Sequence, residues 1–386
     1  MSEVRLEAVT TSFFGYGCID MLSAEIKKRG YRRSLIVTDS FLYKSGTADR
    51  VGQAILGGDA EYAIFYLVTP NPTVEVINEC IKAARALDVD FLTAVGGGSA
   101  IDTAKAVSIV LANGGRVEDY EGANRSLKAG MPVVAVNTTA GTGSEVTQFY
   151  IVTDTVKHSK MCMVDVNCKI AIAINDTQFM VSMPKGLTAA TGMDAMTHAI
   201  EAVQAKTANP LTNKDALWAI TQINNYLPTA VSTPDNVQAR DMMSYAQYTA
   251  GMAFSNSGVG MVHAMAHALG GKYNLPHGIC NAVLLPYIMS YNASHANLET
   301  QFRSIACALG INGAYTMDYN ELSSSAVNHI KALSAQVGIT QTLNDLKVKR
   351  EDLRELAATA MKDLCMQSNP VMPTAEDVVS VYEQAF

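Results

Sequence analysis

The chain has 386 residues, enough for two domains, and 48% hydrophobic with 17% charged residues is typical of a globular protein. The formal net charge is −7, and no cluster of Lys and Arg with interleaved aromatic residues occurs, which argues against nucleic acid as a partner. The apolar run AVLLPYIM near residue 285 is far too short to span a membrane, and no longer one occurs.

The cysteine pattern and the first residues favour a cytoplasmic location. The seven cysteines are scattered, odd in number and never spaced as C-x-x-C, which argues against a disulfide framework and a zinc ribbon. The opening MSEVRLEAVT has no basic stretch followed by an apolar run, so we expect no secretory signal.

Strand-like and helix-like segments alternate in the first half of the chain. The predicted strands are 34–39, 62–68, 91–95 and 132–137, and the predicted helices are 74–87 and 101–112. This alternation indicates an α/β domain with a Rossmann-like parallel sheet, which binds ligands at the carboxyl ends of its strands.

The second half has a different character. From about Pro184, long Ala-, Leu- and Met-rich segments run to the end of the chain with almost no strand-like alternation. We therefore predict an α/β domain over residues 1–184 and an all-helical domain over residues 185–386. Because the boundary is short, we expect the domains to pack firmly and to hold their ligands in the cleft between them.

A glycine run, Gly96-Gly97-Gly98-Ser99, follows a predicted strand and opens a predicted helix. Backbone N–H groups and a helix N-terminus in this arrangement can hold a phosphate, although a short glycine run also suits an ordinary tight turn. Ile101 stands where the G-x-G-x-x-G fingerprint needs its third glycine, so the sheet is not a copy of the Rossmann motif.

A second loop, NTTAGTGSE over residues 137–145, also follows a predicted strand. Its hydroxyls and small residues can bind phosphate, ribose or a nicotinamide amide, or can form an ordinary loop in which Ser144 caps a helix. Asp39 ends the first strand, where a carboxylate binds a ribose and repels a 2′-phosphate, which favours NAD over NADP. A helix cap at Asp39 is equally compatible. Together these features predict a dinucleotide site.

Three of the seven histidines, His263, His267 and His277, fall within one short stretch. The first two are four residues apart in an apolar run without proline, so a helix would place both rings on one side. We expect Gly270-Gly271 to end that helix and a turn to deliver His277.

Upstream, Asp194 and His198 are also four residues apart. A single buried histidine is more often a satisfied core residue than a ligand. Two such pairs and a further histidine in a loop can, however, converge on one divalent cation and supply three nitrogens and a carboxylate. The sequence therefore predicts a metal site.

Several long motifs carry a resemblance to a known family. They are GGGSxxD at 96–102, NTTAGTGSE at 137–145, MPKGLTAATGMDAMTHAIEA at 183–202, GMAFSN at 251–256, HAMAH at 263–267 and YNLPHGICNAVLLP at 273–286. With these motifs the sequence resembles the iron-containing (group III) alcohol dehydrogenases along essentially its full length. The resemblance implies an N-terminal dinucleotide-binding domain and a C-terminal helical metal domain.

The resemblance also implies roles for individual residues. The implied metal ligands, which are also catalytic, are Asp194, His198, His263 and His277, and His267 is implied as a non-ligand histidine that relays the proton. The implied NAD-binding residues are Asp39, Asn71, Gly97, Gly98, Ser99, Asp102, Thr138, Thr139, Thr142 and Lys160. The family name indicates Fe²⁺, while the ligand set also suits Zn²⁺ or another divalent cation.

The predicted activity is metal-dependent, NAD-linked interconversion of a small primary alcohol or diol and its aldehyde, in a homodimer or larger homo-oligomer. We expect Phe149, Tyr150 and Phe254 to line a small apolar substrate pocket.

Two alternatives remain open at this point. One is reduction of an anionic short aldehyde such as sulfoacetaldehyde, which would require an Arg or Lys in the pocket. The other is an activity like that of dehydroquinate synthases or glycerol dehydrogenases. The synthase needs several basic residues around its metal, and the nearest here are Lys185, Lys206 and Lys272.

Overall fold

The computed structural model of the chain describes residues 6–7, 11–157 and 159–386. The chain divides into two compact units, Glu7–Ser182 and Met183–Phe386, with Leu6 counted in the second. Most of the first ten residues, on which the expectation about a secretory signal rests, lie outside the described residues. No helix of the described part is both long and apolar enough to cross a membrane.

The first unit is built on a parallel sheet. Its strands are β1 Ser12–Phe14, β2 Arg33–Asp39, β3 Glu61–Val68, β4 Phe91–Gly96, β5 Gly122–Ala123, β6 Val133–Asn137, β7 Phe149–Asp154, β8 Ser159–Val164 and β9 Ile172–Asn175. Six of them form one sheet in the order β1-β9-β6-β4-β2-β3, with every neighbour parallel. The inner strands β4, β6 and β9 are buried throughout, which explains their continuous apolar sequence. The predicted parallel sheet is confirmed.

Helices cover both faces of this sheet. They are α1 Met21–Arg29, α2 Ser40–Lys44, α3 Thr47–Gly57, α4 Val74–Ala86 and α5 Gly98–Asn113. Side chains of β4 alternate between two core clusters because successive residues of a strand point to opposite faces. Leu92 and Ala94 pack in a cluster with residues of α4 and α5, whereas Phe91 and Val95 pack in a cluster with residues of α1 and α3.

The carboxyl ends of three neighbouring strands meet at one edge of the sheet. The chain adds β3 on one side of β2 and β4 on the other, so the strand order reverses at β2. Val37 pairs with Ala94, and Asp39 and Gly96 lie two residues further along their strands. Gly96 in turn pairs with Asn137 of β6. Asp39 and the two predicted cofactor loops therefore share the edge where parallel sheets bind ligands.

A second, three-stranded sheet was not predicted. It has the order β5-β8-β7, and the antiparallel pair places Phe149 opposite Val164 and Asp154 opposite Ser159. Alternate residues of β7 are buried, and Tyr150 and Val152 join the core. The sequence of β7 is apolar on both faces, so the alternation typical of a half-buried strand is not visible in it.

The second unit is helical, as predicted. Its helices are α6 Lys185–Gln204, α7 Pro210–Ser232, α8 Val237–Ser257, α9 Met261–Tyr273, α10 His277–His295, α11 Glu299–Ala308, α12 Tyr319–Gln336, α13 Leu353–Ala360 and α14 Ala375–Gln384. Helix α10 packs against α6 and α9, and α6 packs against α8.

Two local predictions around the histidines are wrong. Helix α9 continues through Gly270-Gly271 and ends at Tyr273, where Asn274 adopts a left-handed conformation with φ 52°. The cost of glycine inside a helix, about 1 kcal/mol per residue, is outweighed by packing of the helix in the core. His277 is not in a loop either, because Pro276 caps α10 and His277 is its first residue.

Candidate metal centre and cofactor site

Three of the four predicted ligands converge from three helices. Oδ1 of Asp194 on α6 lies 3.9 Å from Nε2 of His263 on α9 and 3.6 Å from Nε2 of His277 on α10. The ligand atoms of these three residues all lie within 4.8 Å of one another. Asp194 and His263 are buried and His277 is half-buried. This arrangement places one carboxylate and two imidazoles around a single point.

His198, the fourth predicted ligand, borders this group. It lies one turn beyond Asp194 on α6, and its ring stacks between those of His263 and Phe254, with centroid distances of 4.5 and 4.2 Å. Its ring nitrogens are not part of the group of atoms that meet within 4.8 Å. His198 is buried, with its ring next to the group and outside it.

Glu201 supports His263 and was missed by the sequence analysis. Its Oε2 accepts a hydrogen bond from Nδ1 of His263 at 2.5 Å, and its Oε1 accepts from the backbone N–H of Val262 at 2.7 Å. With Nδ1 donating to Glu201, Nε2 of His263 presents its lone pair to Asp194 and His277. Burial lowers the pKa of His263, but the charge and hydrogen bond of Glu201 outweigh it, so the pKa is raised.

His267, the proposed proton relay, lies beside the ligand group and is held by a second missed residue, Asp363. Nδ1 of His267 lies 2.8 Å from Oδ2 of Asp363, and its ring stacks on His277 at a centroid distance of 5.2 Å. Burial raises the pKa of the Asp363 carboxyl, but the charge and hydrogen bond of His267 overcome this and bring it down to about 2. The ionised carboxylate of Asp363 therefore orients the ring of His267.

Helix α10 approaches α6 closely enough to bring His277 to Asp194. A Cβ at Gly278 would lie 2.3 Å from the carbonyl oxygen of Ala190 and 3.4 Å from Cβ of Asp194. The backbone of Ala190 cannot move aside as a flexible side chain would. Glycine at this position is therefore what allows the first turn of α10 to rest against the middle of α6.

The residues present fit a divalent cation. A carboxylate oxygen and imidazole nitrogens suit Fe²⁺, Zn²⁺ and related ions. Glu201 holds His263 in the tautomer that a ligand needs, as carboxylates commonly do behind metal-binding histidines. The site is also enclosed, because Asp194, His198 and His263 are each less than 5% exposed.

In the first unit, the two predicted cofactor loops pack directly on each other. A Cβ at Gly97 would meet the side chain of Thr139 at 2.7 Å, and one at Gly98 would meet that of Thr142 at 2.9 Å. The backbone N–H of Thr138 donates to the carbonyl of Gly96. No side chain caps the N-terminus of α5, and residues 97–99 are half-buried. The first turn of α5 thus offers N–H groups to an anion.

Asp102 is half-buried and links α5 to the neighbouring loop. Its carboxylate accepts hydrogen bonds from the hydroxyl of Ser144 at 2.5 Å and from the backbone N–H of Ile151 at 3.0 Å. Burial raises its pKa, against the nearby positive charges of Lys105 and Lys160. Asp102 therefore ties α5 to the loop of residues 137–145 and to β7. Ser144 bonds to Asp102 instead of capping a helix.

The remaining cofactor candidates lie at strand ends and in the second sheet. Asp39 caps α2, since its Oδ1 accepts from the backbone N–H groups of Phe41 and Leu42 at 2.8 and 2.9 Å. Asn71 has a left-handed backbone with φ 54° in the turn after β3. Lys160 lies on β8 and is half-buried.

The three predicted substrate residues occupy different environments. Phe254 on α8 is buried with its ring parallel to that of His198, next to the ligand group. Phe149 begins β7 and is half-buried. Tyr150 is only 1% exposed and lies in the core of the first unit.

Both units match one protein family. Residues 10–177 match the iron-containing alcohol dehydrogenases, and residues 188–386 match the C-terminal part of the Fe-containing alcohol dehydrogenase family. The chain therefore belongs to the iron-containing alcohol dehydrogenase family, and it is an oxidoreductase of the alcohol dehydrogenase and aldehyde reductase class.

Characterised relatives match the chain over nearly its whole length. It is 40% identical to an NAD-dependent methanol dehydrogenase of Bacillus methanolicus over 374 residues, 97% of each chain. It is also 40% identical to a lactaldehyde reductase of Escherichia coli (strain K12) over 378 residues, 97% of this chain and 98% of that one. A crystal structure of a 1,3-propanediol oxidoreductase is similar with a TM-score of 0.96 and 39% identity, covering 100% of both chains. The family predicted from the motifs is confirmed.

Proposed function

We propose that this protein interconverts a small primary alcohol or diol and its aldehyde by metal-assisted hydride transfer with NAD. The observation that carries the proposal is the convergence of Asp194, His263 and His277 from three helices, with Glu201 behind His263. His198, stacked beside His263, is the proposed fourth ligand, and Fe²⁺ is the proposed ion.

The chemistry divides between bound groups and side chains. When bound, the cation supplies Lewis-acid stabilisation of the substrate oxygen, and NAD supplies the hydride acceptor or donor. Glu201 accepts the hydrogen bond of Nδ1 of His263, which leaves Nε2 as the nitrogen that would bind the cation. Asp363 engages Nδ1 of His267, which leaves Nε2 of that ring to hold or release the proton of the alcohol.

The dinucleotide is assigned to the loop edge of the parallel sheet. Gly97, Gly98 and Ser99 at the uncapped N-terminus of α5 are proposed to hold its pyrophosphate. Thr138, Thr139 and Thr142 are proposed to hold the nicotinamide half, together with Lys160. The side chains of Thr139 and Thr142 lie next to Gly97 and Gly98. Asp39 and Asn71 are proposed to hold the adenosine half, and Asp102 supports the loops from beneath.

The surroundings of the metal centre favour a small, uncharged substrate. The buried ring of Phe254 closes one side of the ligand group. Lys272 is ion-paired with Asp352 and Glu355, and Lys206 is exposed. Lys185, the third of these lysines, is exposed as well. An anionic aldehyde, or the phosphorylated sugar acid of a synthase, would need a cationic side chain at the ligand group, and Lys272 is already paired with two carboxylates. The substrates named for the similar proteins, methanol, lactaldehyde and 1,3-propanediol, fit a substrate of one to three carbons.

The same reasoning extends to location and assembly. We propose a cytoplasmic enzyme, because all seven cysteines lie in the described residues and none forms a disulfide. A homodimer or larger homo-oligomer is proposed as the assembly, since closed symmetric oligomers are the commonest soluble form. Light scattering after size-exclusion chromatography measures this directly.

The test of the proposed substrate class is NADH oxidation with a panel of aldehydes after anaerobic loading with Fe²⁺. The panel contains acetaldehyde, propionaldehyde, 3-hydroxypropionaldehyde, lactaldehyde and sulfoacetaldehyde. We expect the neutral aldehydes to be reduced with far higher kcat/KM than sulfoacetaldehyde. His263→Ala should lose this activity. His329→Ala is its matched control, since His329 on α12 bonds to Asn224 away from the ligand group. Preference for sulfoacetaldehyde would contradict the proposed class, and NADH binding without any turnover would point to another substrate.

A further inference from the structure

The side-chain amide of Asn281 lies among the candidate metal ligands. Its Nδ2 atom is 2.6 Å from Oδ1 of Asp194, 3.2 Å from Nε2 of His263 and 3.1 Å from Nε2 of His277. These are the three atoms that meet within 4.8 Å of one another. A neutral amide nitrogen therefore stands against the same atoms that would hold the cation.

Local structure fixes this position. Asn281 follows His277 by four residues on α10, so both side chains lie on the same face of the helix. The close approach of α10 to α6 at Gly278 brings that face against Asp194. Asn281 has no exposed surface, so bulk water does not solvate its amide.

The hydrogen bonding of this amide is incomplete in two ways. An NH₂ group has two hydrogens, whereas Nδ2 faces three acceptor atoms. The carbonyl oxygen, Oδ1, is buried without a hydrogen-bond partner among the described residues. A buried amide oxygen without a partner is costly and calls for an explanation, such as an ion that is part of the site.

The amide can present either of its two polar atoms to this point. Half a turn about the Cβ–Cγ bond exchanges Nδ2 for Oδ1 without moving the rest of the side chain. A cation bound by Asp194, His263 and His277 would be repelled by the N–H hydrogens and attracted by the amide oxygen, because amide oxygens are metal ligands whereas amide nitrogens are donors only.

We propose that Asn281 is a residue of the metal centre and that its Oδ1 faces the bound cation. The inference rests on the proposed metal site and adds an uncharged oxygen to its residues.

Two substitutions of Asn281 test whether its amide oxygen faces the cation. Asn281→Leu keeps the size of the side chain but has neither donor nor acceptor, whereas Asn281→Asp keeps an oxygen and lacks the donors. We load wild type and variants with Co²⁺, whose visible absorption reports coordination number and geometry, and measure affinity by competition with a chelator. Asn292→Leu is the matched control, because Asn292 is a buried amide on α10 that bonds to Gln204 and Asn369 instead.

The expected results differ between the variants. Asn281→Leu should weaken Co²⁺ binding by about tenfold or more and change the absorption spectrum, the usual extent of loss when a supporting residue of a metal site is removed. Asn281→Asp should retain the wild-type spectrum and bind Co²⁺ at least as tightly. Without metal, Asn281→Asp should unfold at a lower temperature than wild type, because a second carboxylate then faces Asp194. Asn292→Leu should retain the wild-type spectrum and affinity.

Other results would overturn the inference. Identical Co²⁺ spectra and affinities for wild type and Asn281→Leu would show that the amide does not face the cation. If Asn281→Leu does not fold, a changed spectrum or weakened affinity in Asn281→Asp decides against the proposal. Failure of wild type itself to bind Co²⁺ would refute the proposed metal site as well, which distinguishes that failure from failure of the role of Asn281.

Discussion

Oε2 of Glu201 lies 2.5 Å from Nδ1 of His263, and both side chains are buried. Glu201 follows Asp194 by seven residues on α6, so two helical turns place both carboxylates on the same side of the helix. One faces the ligand atoms directly, and the other acts through the imidazole. The second carboxylate therefore sets the orientation and the tautomer of a proposed metal ligand without itself belonging to the ligand group.

Replacing Glu201 by Gln should weaken metal binding. The amide can still bond to Nδ1 of His263, but it lacks the negative charge that makes the ring a stronger ligand. We expect about 10–100-fold lower affinity for Zn²⁺ or Fe²⁺, measured by chelator competition. Glu355→Gln is the control, since Glu355 is an exposed partner of Lys272. Unchanged affinity in Glu201→Gln would refute a role for this carboxylate at the metal centre.

Gly278→Ala should separate α10 from α6. The added Cβ would lie 2.3 Å from the carbonyl oxygen of Ala190, a backbone atom that cannot give way locally. We expect a loss of roughly 1–3 kcal/mol in the free energy of unfolding, the usual cost of an overpacked contact, and weaker metal binding. Gly186→Ala is the matched control, because a Cβ there would meet nothing within 4 Å. Equal effects of the two substitutions would contradict the close approach.

The pairing of Asp363 with His267 should make the free energy of unfolding depend on pH in the acidic range. The folded-state pKa of Asp363 is lowered to about 2 from an ordinary value near 3.8, so the pair stabilises the fold above about pH 4 and this contribution is lost as the pH falls toward 2. The contribution is roughly 2 kcal/mol. Asp363→Asn should therefore be less stable than wild type at pH 5, and the difference should shrink by pH 2.5.

Urea unfolding of the metal-free protein measures this difference. The only tryptophan, Trp218, lies on α7 in the helical unit and reports its unfolding by fluorescence. The exposed Asp235→Asn serves as control. A stability difference between wild type and Asp363→Asn that stays constant from pH 5 to pH 2.5 would show that the charge of Asp363 does not act through this pair.

Asp39→Asn should relax the preference for NAD. Because Asn retains the side-chain oxygen that caps α2, the substitution removes the charge and keeps the local structure. We expect the ratio of kcat/KM for NADPH over NADH to rise about tenfold, as roughly 1–2 kcal/mol of repulsion toward a 2′-phosphate is removed. Asp318→Asn, at the cap of α12, is the control. An unchanged ratio would place the adenosine ribose elsewhere.

Much of the α/β unit could be predicted because inner parallel strands leave a simple signal. Phe91–Gly96 and Val133–Asn137 are buried on both faces and therefore consist mostly of apolar residues, and each is followed by a small-residue loop. The spacing of Asp194 and His198, and of His263 and His267, similarly predicted helical pairs, and α6 and α9 confirm both. These signals are local, so a single sequence carries them.

The parts that were missed depend on contacts between distant segments. Asp363 is 96 residues from His267, and no spacing rule connects them. Asn281 is one helical turn from His277. It was missed because Pro276 and the preceding glycines indicated a turn at His277, whereas α10 begins at that residue. Tyr150 was expected to line a small apolar pocket, and only the packed sheet shows that its side of β7 faces the core of the first unit. Glu201 could have been predicted from the sequence, since it follows Asp194 by seven residues and therefore lies on the same side of α6.

The most direct test of the central claim is aldehyde-dependent NADH oxidation measured while the metal is removed and restored. Wild type stripped by a chelator should lose activity and recover it on anaerobic addition of Fe²⁺. His277→Ala should bind NADH as wild type does, yet recover less than about one hundredth of the activity, a loss in the range found when a single stabilising group is removed. Full activity in the stripped wild type, or full recovery in His277→Ala, would contradict a metal centre built on Asp194, His263 and His277.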